Sequence, residues 1–442
     1  MSAPTGPRVL FTTAYREGPL YDYWGSNSPH TWLRLGGERI VAPGLRFLKQ
    51  NVPAIEILEA PTVGEFQRAL RRGWDIVGIS FYLDETRRAL DMVDQIRRAG
   101  VKEVWGGNYG VLTPEAGRRF DRIFLGYAEE EVANALGQPT RPVVHPPMLV
   151  PFGMPFWKIV RFGLLYTTRG CSFGCTFCQT PAFAPKPSAI PIENLERLLQ
   201  YYADHGVVDI IIPDENFGIV PQHARAVTEA IAKHRMLWTV MTRVDFLLQH
   251  FDEWKSQGLG GVMLGVESID QQSLNDLHKR SSVEKLHQAV ELCRKHNIVM
   301  VGFYIIGLES DTEDSIRASI ERLGPMGFDL VQVCVLTPLP RTPLWQRLDD
   351  CYGIVDKDYS HFDGKHLVWR HPAVSAEKME ELRRWSIRTL YARTNFSRTI
   401  AKHAKGHARR LGRSRGLPYV LGRTLKLNLR PFRQLPFLGN GE

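Results

Sequence analysis

The 442 residues predict an α/β chain: an N-terminal doubly wound parallel sheet, a partial (β/α)6 barrel, and a helical, basic C-terminal region. Three observations carry this reading. Short β-branched runs alternate with amphipathic stretches of helical length over residues 8–135 and again from 164 onward, and such alternation builds parallel sheets covered by helices. Residues 137–160, rich in proline and without periodicity, separate the two series as a linker. Positive charge without any compensating acid is confined to the last fifty residues.

In the first series Arg8–Thr13 and Ala54–Leu58 read as strands, and Val63–Arg72 as an amphipathic helix. Asp75–Tyr82 (DIVGISFY) is apolar and β-branched, as a buried parallel strand should be. Thr86–Arg98 carries Leu90, Val93 and Ile96 at helical spacing. Glu103–Gly107 and Arg122–Gly126 supply two more strands. The second series predicts strands near 164–168, 208–213, 237–242, 261–266, 298–306 and 329–336, with helices such as Ile192–Ala203 and Val283–Lys295 between them. A last helix is expected over Ser375–Tyr391. The domain expectation is therefore 1–136, a linker at 137–160, a core at 161–350, and a C-terminal region at 351–442. In parallel sheets of this kind ligands sit at the carboxyl ends of the strands.

Composition narrows the class. The chain is 43% apolar and 23% charged, ordinary values for a soluble globular protein. Its net charge of +9 is not spread evenly: residues 393–441 hold twelve Lys and Arg and no acid. The other 44 basic residues face 47 acidic ones, so the body offers no nucleic-acid surface. The tail reads either as a solvated end or as a peripheral contact with an anionic membrane. The second reading rests on Leu411, Leu417, Tyr419, Leu421, Leu425, Leu427, Phe432, Leu435 and Phe437, which interleave with the charges. No signal peptide or membrane-spanning run is visible, and six cysteines are too few for a disulfide scaffold. A cytoplasmic location is expected.

Three of those cysteines crowd into Tyr166-Thr-Thr-Arg-Gly-Cys171-Ser-Phe-Gly-Cys175-Thr-Phe-Cys178. Three thiolates cannot close a four-ligand zinc site, but they can hold three irons of a cubane and leave the fourth open. A redox-active C-x2-C pair would leave Cys171 unexplained. The spacing C-x3-C-x2-C, with an aromatic before the last Cys, resembles the signature of the radical S-adenosylmethionine (SAM) superfamily. That resemblance implies a 4Fe–4S cluster on Cys171, Cys175 and Cys178 whose open iron binds SAM. It also implies reductive cleavage of SAM to a 5′-deoxyadenosyl radical and a reductant partner such as a flavodoxin or ferredoxin. Further positions resemble the family's SAM-contacting elements. They are Asp214 and Glu215 after the second barrel strand, Arg243 after the third, Glu267-Ser268 in a G-x-E-S element, and Gly302, Gly307 and Glu309 around the fifth strand. Thr337-Pro-Leu-Pro340 resembles the segment after strand six, though family members often carry Gly where this chain has Arg341.

The N-terminal segments Asp75-Ile-Val-Gly-Ile-Ser, Trp105-Gly-Gly107 and Phe124-Leu-Gly126-Tyr-Ala-Glu129 resemble the cobalamin-binding domain that precedes many radical SAM cores. Pro43-Gly-Leu-x-x-Leu resembles a further element of that subfamily. No D-x-H-x-x-G motif offers a lower cobalt ligand, and the usual G-E-G-E appears as Gly126-Tyr-Ala-Glu129. The resemblance implies cobalamin as a further cofactor and C-methylation of an unactivated carbon in a small, hydrophobic intermediate. Oxidative cyclisation or rearrangement without methyl transfer is the alternative. A non-catalytic iron–sulfur protein would not need polar groups at the ends of six strands. The sequence assigns no catalytic side chain.

Overall fold

The computed structural model describes residues 6–16, 34–35, 42–154, 157–392, 396–411, 422, 425 and 435–438. The first sheet has five parallel strands in the order Ile55–Leu58, Val9–Thr13, Ile76–Ser80, Glu103–Gly107, Arg122–Phe124. Both faces are covered. Helices Val63–Leu70 and Thr86–Arg98 bury Phe66, Val93 and Ile96 against one face, while Pro43–Asn51 and Glu129–Ala135 bury Leu45 and Val132 against the other. The chain order reverses between Val9–Thr13 and Ile76–Ser80, which opens a crevice at their carboxyl ends.

The second sheet contains the six parallel strands of a partial barrel: Trp157–Leu164, Asp209–Ile212, Leu237–Thr242, Leu259–Glu267, Val299–Ile306 and Leu330–Val335. The first differs from the expectation. It runs over Trp157–Leu164 rather than 164–168, and it pairs antiparallel with Leu149–Met154. Ten of the 24 residues of the expected linker at 137–160 are therefore sheet. Strand Leu149–Met154 lies between Trp157–Leu164 and the short Arg34–Leu35, whose pairing reaches only Phe152 and Gly153; Pro151 falls beyond it and masks the period of two. The core of the barrel is continuous with Phe47 and Leu83 of the N-terminal domain.

The C-terminal region is helical, over Ala376–Ala392 and Phe396–Leu411. The second helix lies across the amino-terminal face of the barrel. Lys402 donates to Asp329 at 2.6 Å, His407 Nε2 lies 2.7 Å from Asp209 Oδ1, Arg409 donates to the His296 carbonyl, and Arg410 donates to that of Ser256 at 3.4 Å. Helices of a βα barrel end at this face, so their negative dipole ends collect there and attract a basic helix. The first half of the tail is thus bound to the protein itself. Leu417, Tyr419, Leu421, Leu427 and Phe432 lie outside the described residues. Among the described residues no helix is long and apolar enough to cross a membrane.

Candidate active site

The segment leading to the cysteines is tied down before it reaches them. Asp214, fully buried past strand Asp209–Ile212, accepts the Thr167 and Thr168 amides at 2.7 and 2.8 Å and the Thr167 hydroxyl at 2.5 Å. Burial pushes its carboxyl up to about 7, and the three donors oppose that shift. Glu215 accepts the Gly170 amide at 3.1 Å and the Tyr127 hydroxyl. Gly170 sits at φ +83°, and a Cβ there would lie 2.6 Å from the Ala184 carbonyl, so only glycine fits.

The loop itself is clamped from several sides. Cys171 N–H donates to Ala184 at 3.1 Å, Thr176 N–H donates to Leu277 at 3.1 Å, and Leu344 N–H donates to Thr176 at 3.0 Å. Gln179 adds a bond to the Pro340 carbonyl at 3.0 Å. Cys171, Cys175 and Cys178 are all half-buried on this loop. Burial raises the Cys171 thiol, and Cys178 and Cys175 raise it further, so the three sulfurs feel one another. Burial likewise raises Cys175, while the cations Lys279 and Arg243 favour its thiolate. Iron binding would remove those protons, and a rigid loop presenting three thiols is what a three-cysteine cubane requires. Cys293 is buried in the 283–295 helix, Cys351 is exposed on another, and Cys334 lies in the last strand.

The N-terminal sheet reaches this loop through residues the sequence only marked as a departure from pattern. Glu129 takes two hydrogen bonds from Arg169, at 3.0 and 2.8 Å, in a buried pair. The Arg169 guanidinium lies 4.0 Å from the Phe47 ring centroid and 4.5 Å from that of Tyr127. Tyr109, just past Gly107, stacks on Phe183 at 4.3 Å and on Tyr82 at 6.2 Å. The carboxyl end of the first sheet therefore faces the cysteine loop across an aromatic wall. Arg169 was not singled out by sequence; its place beside Gly170-Cys171 was the available signal.

The remaining strand-end positions fall into two groups. Arg243, 4.3 Å from the Phe173 ring, bonds Asp245 at 2.9 Å and the Arg280 carbonyl at 2.8 Å. Glu267 accepts from Lys279 at 2.7 Å and is held at φ +60°, a conformation that costs a non-glycine residue about 1–3 kcal/mol. A Cβ on Gly265 would come within 2.4 Å of Glu267 Oε1 and 2.5 Å of Lys279 Nζ, so this glycine makes room for the pair. Ser268 accepts the Asp270 amide at 3.0 Å. Arg243, Glu267 and Lys279 all act on Cys175, and Glu215 acts on Cys171. In the second group, Gly302 sits under the Phe328 ring, Gly307 N–H donates to Asp311 at 2.8 Å, and Glu309 is engaged by Arg347. The structure places no cysteine contact on these three.

Asn216, which closes the Asp214-Glu215-Asn216 segment after the second barrel strand, stands out. It is 4% exposed, yet neither its Nδ2 nor its Oδ1 has a hydrogen-bond partner within the protein. A buried amide left so costs about 1–3 kcal/mol unless a ligand satisfies it. Its position after the second strand puts it beside Glu215, which accepts from the cysteine loop at Gly170. Arg341 resolves another departure: at φ +64° it occupies the left-handed turn that a glycine would take without strain.

The sequence model of the radical SAM superfamily matches residues 165–323, the span holding the three cysteines and most barrel strands. That span is a radical SAM domain, whose chemistry requires a 4Fe–4S cluster and SAM. It is 25% identical over 328 residues to the bacteriochlorophyllide d C-8(2)-methyltransferase of Chlorobaculum tepidum, covering 67% of this chain and 73% of that one. It is 31% identical over 208 residues to the hopanoid C-3 methylase of Methylococcus capsulatus, covering 46% and 39%. Its fold matches the structure of the radical SAM methyltransferase TsrM of Kitasatospora setae, with cobalamin and a [4Fe-4S] cluster bound. The TM-score is 0.61 at 15% identity, over 96% of this chain and 100% of the other.

Proposed function

We propose that the protein is a cobalamin-dependent radical SAM C-methyltransferase acting on an unactivated carbon of a hydrophobic biosynthetic intermediate. One observation carries the reading most: the carboxyl end of a doubly wound sheet is fastened face to face with the cysteine loop, by Glu129–Arg169 and Tyr127–Glu215. Together the groups would supply a deoxyadenosyl radical to take hydrogen from carbon and a methyl donor to cap the carbon radical. Cys171, Cys175 and Cys178 would hold the cluster. Asn216, Arg243, Glu267 and Ser268 would hold SAM around it. The cobalamin would lie at Ser80, Gly107 and Asn108, where the sheet reverses its order. Tyr82, Tyr109 and Phe183 would give a flat, apolar wall that excludes water from a radical. The methyltransferase relatives named for a bacteriochlorophyllide and a hopanoid support a hydrophobic substrate.

A one-electron protein reductant, a flavodoxin or ferredoxin, completes this reading. A peripheral membrane contact would fall to residues 412–442, since the helix before them spends its charges on the barrel. The test is anaerobic. Cluster-loaded protein given SAM, reductant and cobalamin should form 5′-deoxyadenosine, retain a corrin spectrum after desalting, and move labelled methyl from SAM into an apolar extract. Deoxyadenosine without bound corrin would replace the reading with an oxidative cyclase. That alternative has its own relative, the anaerobic magnesium-protoporphyrin IX monomethyl ester cyclase of Rubrivivax gelatinosus, 27% identical over 206 residues.

A further inference from the structure

At the opposite end of the barrel from the cysteines, Asp209, His403 and His407 bring three ligand atoms within 4.8 Å of one another. Asp209 opens the second barrel strand and is 2% exposed; His407 is equally buried. The two histidines stand four residues apart on helix Phe396–Leu411, so both rings project from one face. Both present Nε2 to the same carboxylate oxygen, His407 at 2.7 Å and His403 at 3.4 Å, and their rings lie edge to face at 4.8 Å.

We propose that this cluster is a divalent metal site, with zinc as the ion its chemistry suits best. Two imidazoles on an i, i+4 helical spacing plus one carboxylate is a borderline nitrogen–oxygen donor set, and it leaves room for water as a fourth ligand. The surroundings favour a cation as well. The negative ends of the barrel helices face this surface, the same field that holds Arg409 and Arg410. The neighbouring Lys402 is committed to Asp329. The ion would staple the C-terminal helix across the amino-terminal mouth of the barrel. This role is structural and independent of the radical chemistry at the other end.

The probe is zinc alone. Full-length, cluster-loaded protein is exposed to zinc, passed over a weak chelating resin, and assayed for iron and zinc together. About one zinc per chain should remain beside the cluster iron. His403→Ala, His407→Ala and Asp209→Asn should each lose that zinc while keeping their iron. His403 is the most accessible of the three, so His403→Ala is the variant expected to retain its fold. Cobalt(II) in place of zinc should give d–d absorption in the parent and none in His403→Ala. A variant lacking Cys171, Cys175 and Cys178 should still take up the zinc, which separates this site from the cysteine loop. A parent that keeps its iron but binds neither zinc nor cobalt would overturn the proposal. So would zinc retained undiminished in His403→Ala and Asp209→Asn.

Discussion

Glu129 and Arg169 are joined by two parallel hydrogen bonds, with side chains 9% and 5% exposed, and two residues later comes Cys171. The pair sits where the N-terminal sheet meets the cysteine loop. Removing one partner of such a pair leaves an uncompensated buried charge and typically costs about 3–5 kcal/mol. Glu129→Gln should therefore lower iron content and stability together, measured by iron assay and urea unfolding. The shape-matched double replacement Glu129→Gln with Arg169→Met should recover part of the stability. Equal behaviour of single and double variants would show that the pair does not set the loop.

Cys171→Ala, Cys175→Ala and Cys178→Ala should each abolish the cluster and the formation of 5′-deoxyadenosine. Cys293→Ala and Cys351→Ala should leave both intact, because neither lies on the clamped loop. Iron and sulfide content with a deoxyadenosine assay settles the assignment. An essential scattered cysteine would refute it.

Gly265→Ala tests the SAM side of the site without touching a cluster ligand. The added methyl would overlap Glu267 and Lys279, which must then part or move. SAM affinity should fall by about tenfold, the loss of roughly 1.4 kcal/mol, with iron content unchanged. Unaltered SAM binding would place Glu267 and Lys279 outside the SAM site.

His145 is fully buried, accepts the Tyr166 amide at 2.9 Å through Nε2, and is pushed down to about 3, first by burial. Folded, it stays neutral where the unfolded chain takes up a proton from its ordinary value of 6.5 downward. The stability it contributes is thus complete above 6.5 and is lost as pH falls toward 3, by at most about 1.4 kcal/mol per pH unit. His145→Gln should flatten the fall in urea midpoint between pH 6.5 and 5.5. An identical slope would mean the ring titrates normally.

Lys402→Met should strand the Asp329 carboxylate beneath the C-terminal helix, both side chains being almost wholly buried. A loss of about 3–5 kcal/mol is expected by urea unfolding. A chain ending at Ala392 should lose solubility, since it uncovers Asp209, Asp329 and the apolar surface around Leu237. Retained solubility and cluster content in the shortened chain would return the tail to the role of a solvated end.

The residues that form strands by β-branched runs, such as Ile76–Ser80 and Val299–Ile306, were readable because parallel strands buried on both faces need continuous apolar stretches. The cysteine loop was readable because its spacing is chemically restrictive. Strand Trp157–Leu164 was not, since its antiparallel partner carries Pro151 and the pair mixes periods. The partners of Asp214, Glu129 and Arg169 were equally invisible: each bond spans forty or more residues, and no local pattern encodes it. The docking of the tail's first helix was likewise invisible. Lys402 finds Asp329 73 residues away, and Arg409 and Arg410 meet carbonyls at helix ends, which a count of acidic side chains cannot register.

The amide of Gln50 exchanges two hydrogen bonds with the backbone of Leu438, at 3.0 and 3.1 Å. That seam joins residues 388 positions apart, and His407 reaches Asp209 across 198. During synthesis, then, both sheets emerge long before the segments that lock them. A nascent barrel waits with its floor missing and its two aspartates bare, exposed to non-native pairing. Folding to the closed form waits until residues 402–438 have left the ribosome. Pulse-labelled chains should accordingly become protease-resistant only once that segment has emerged, with the 157–335 region protected last at its amino-terminal face.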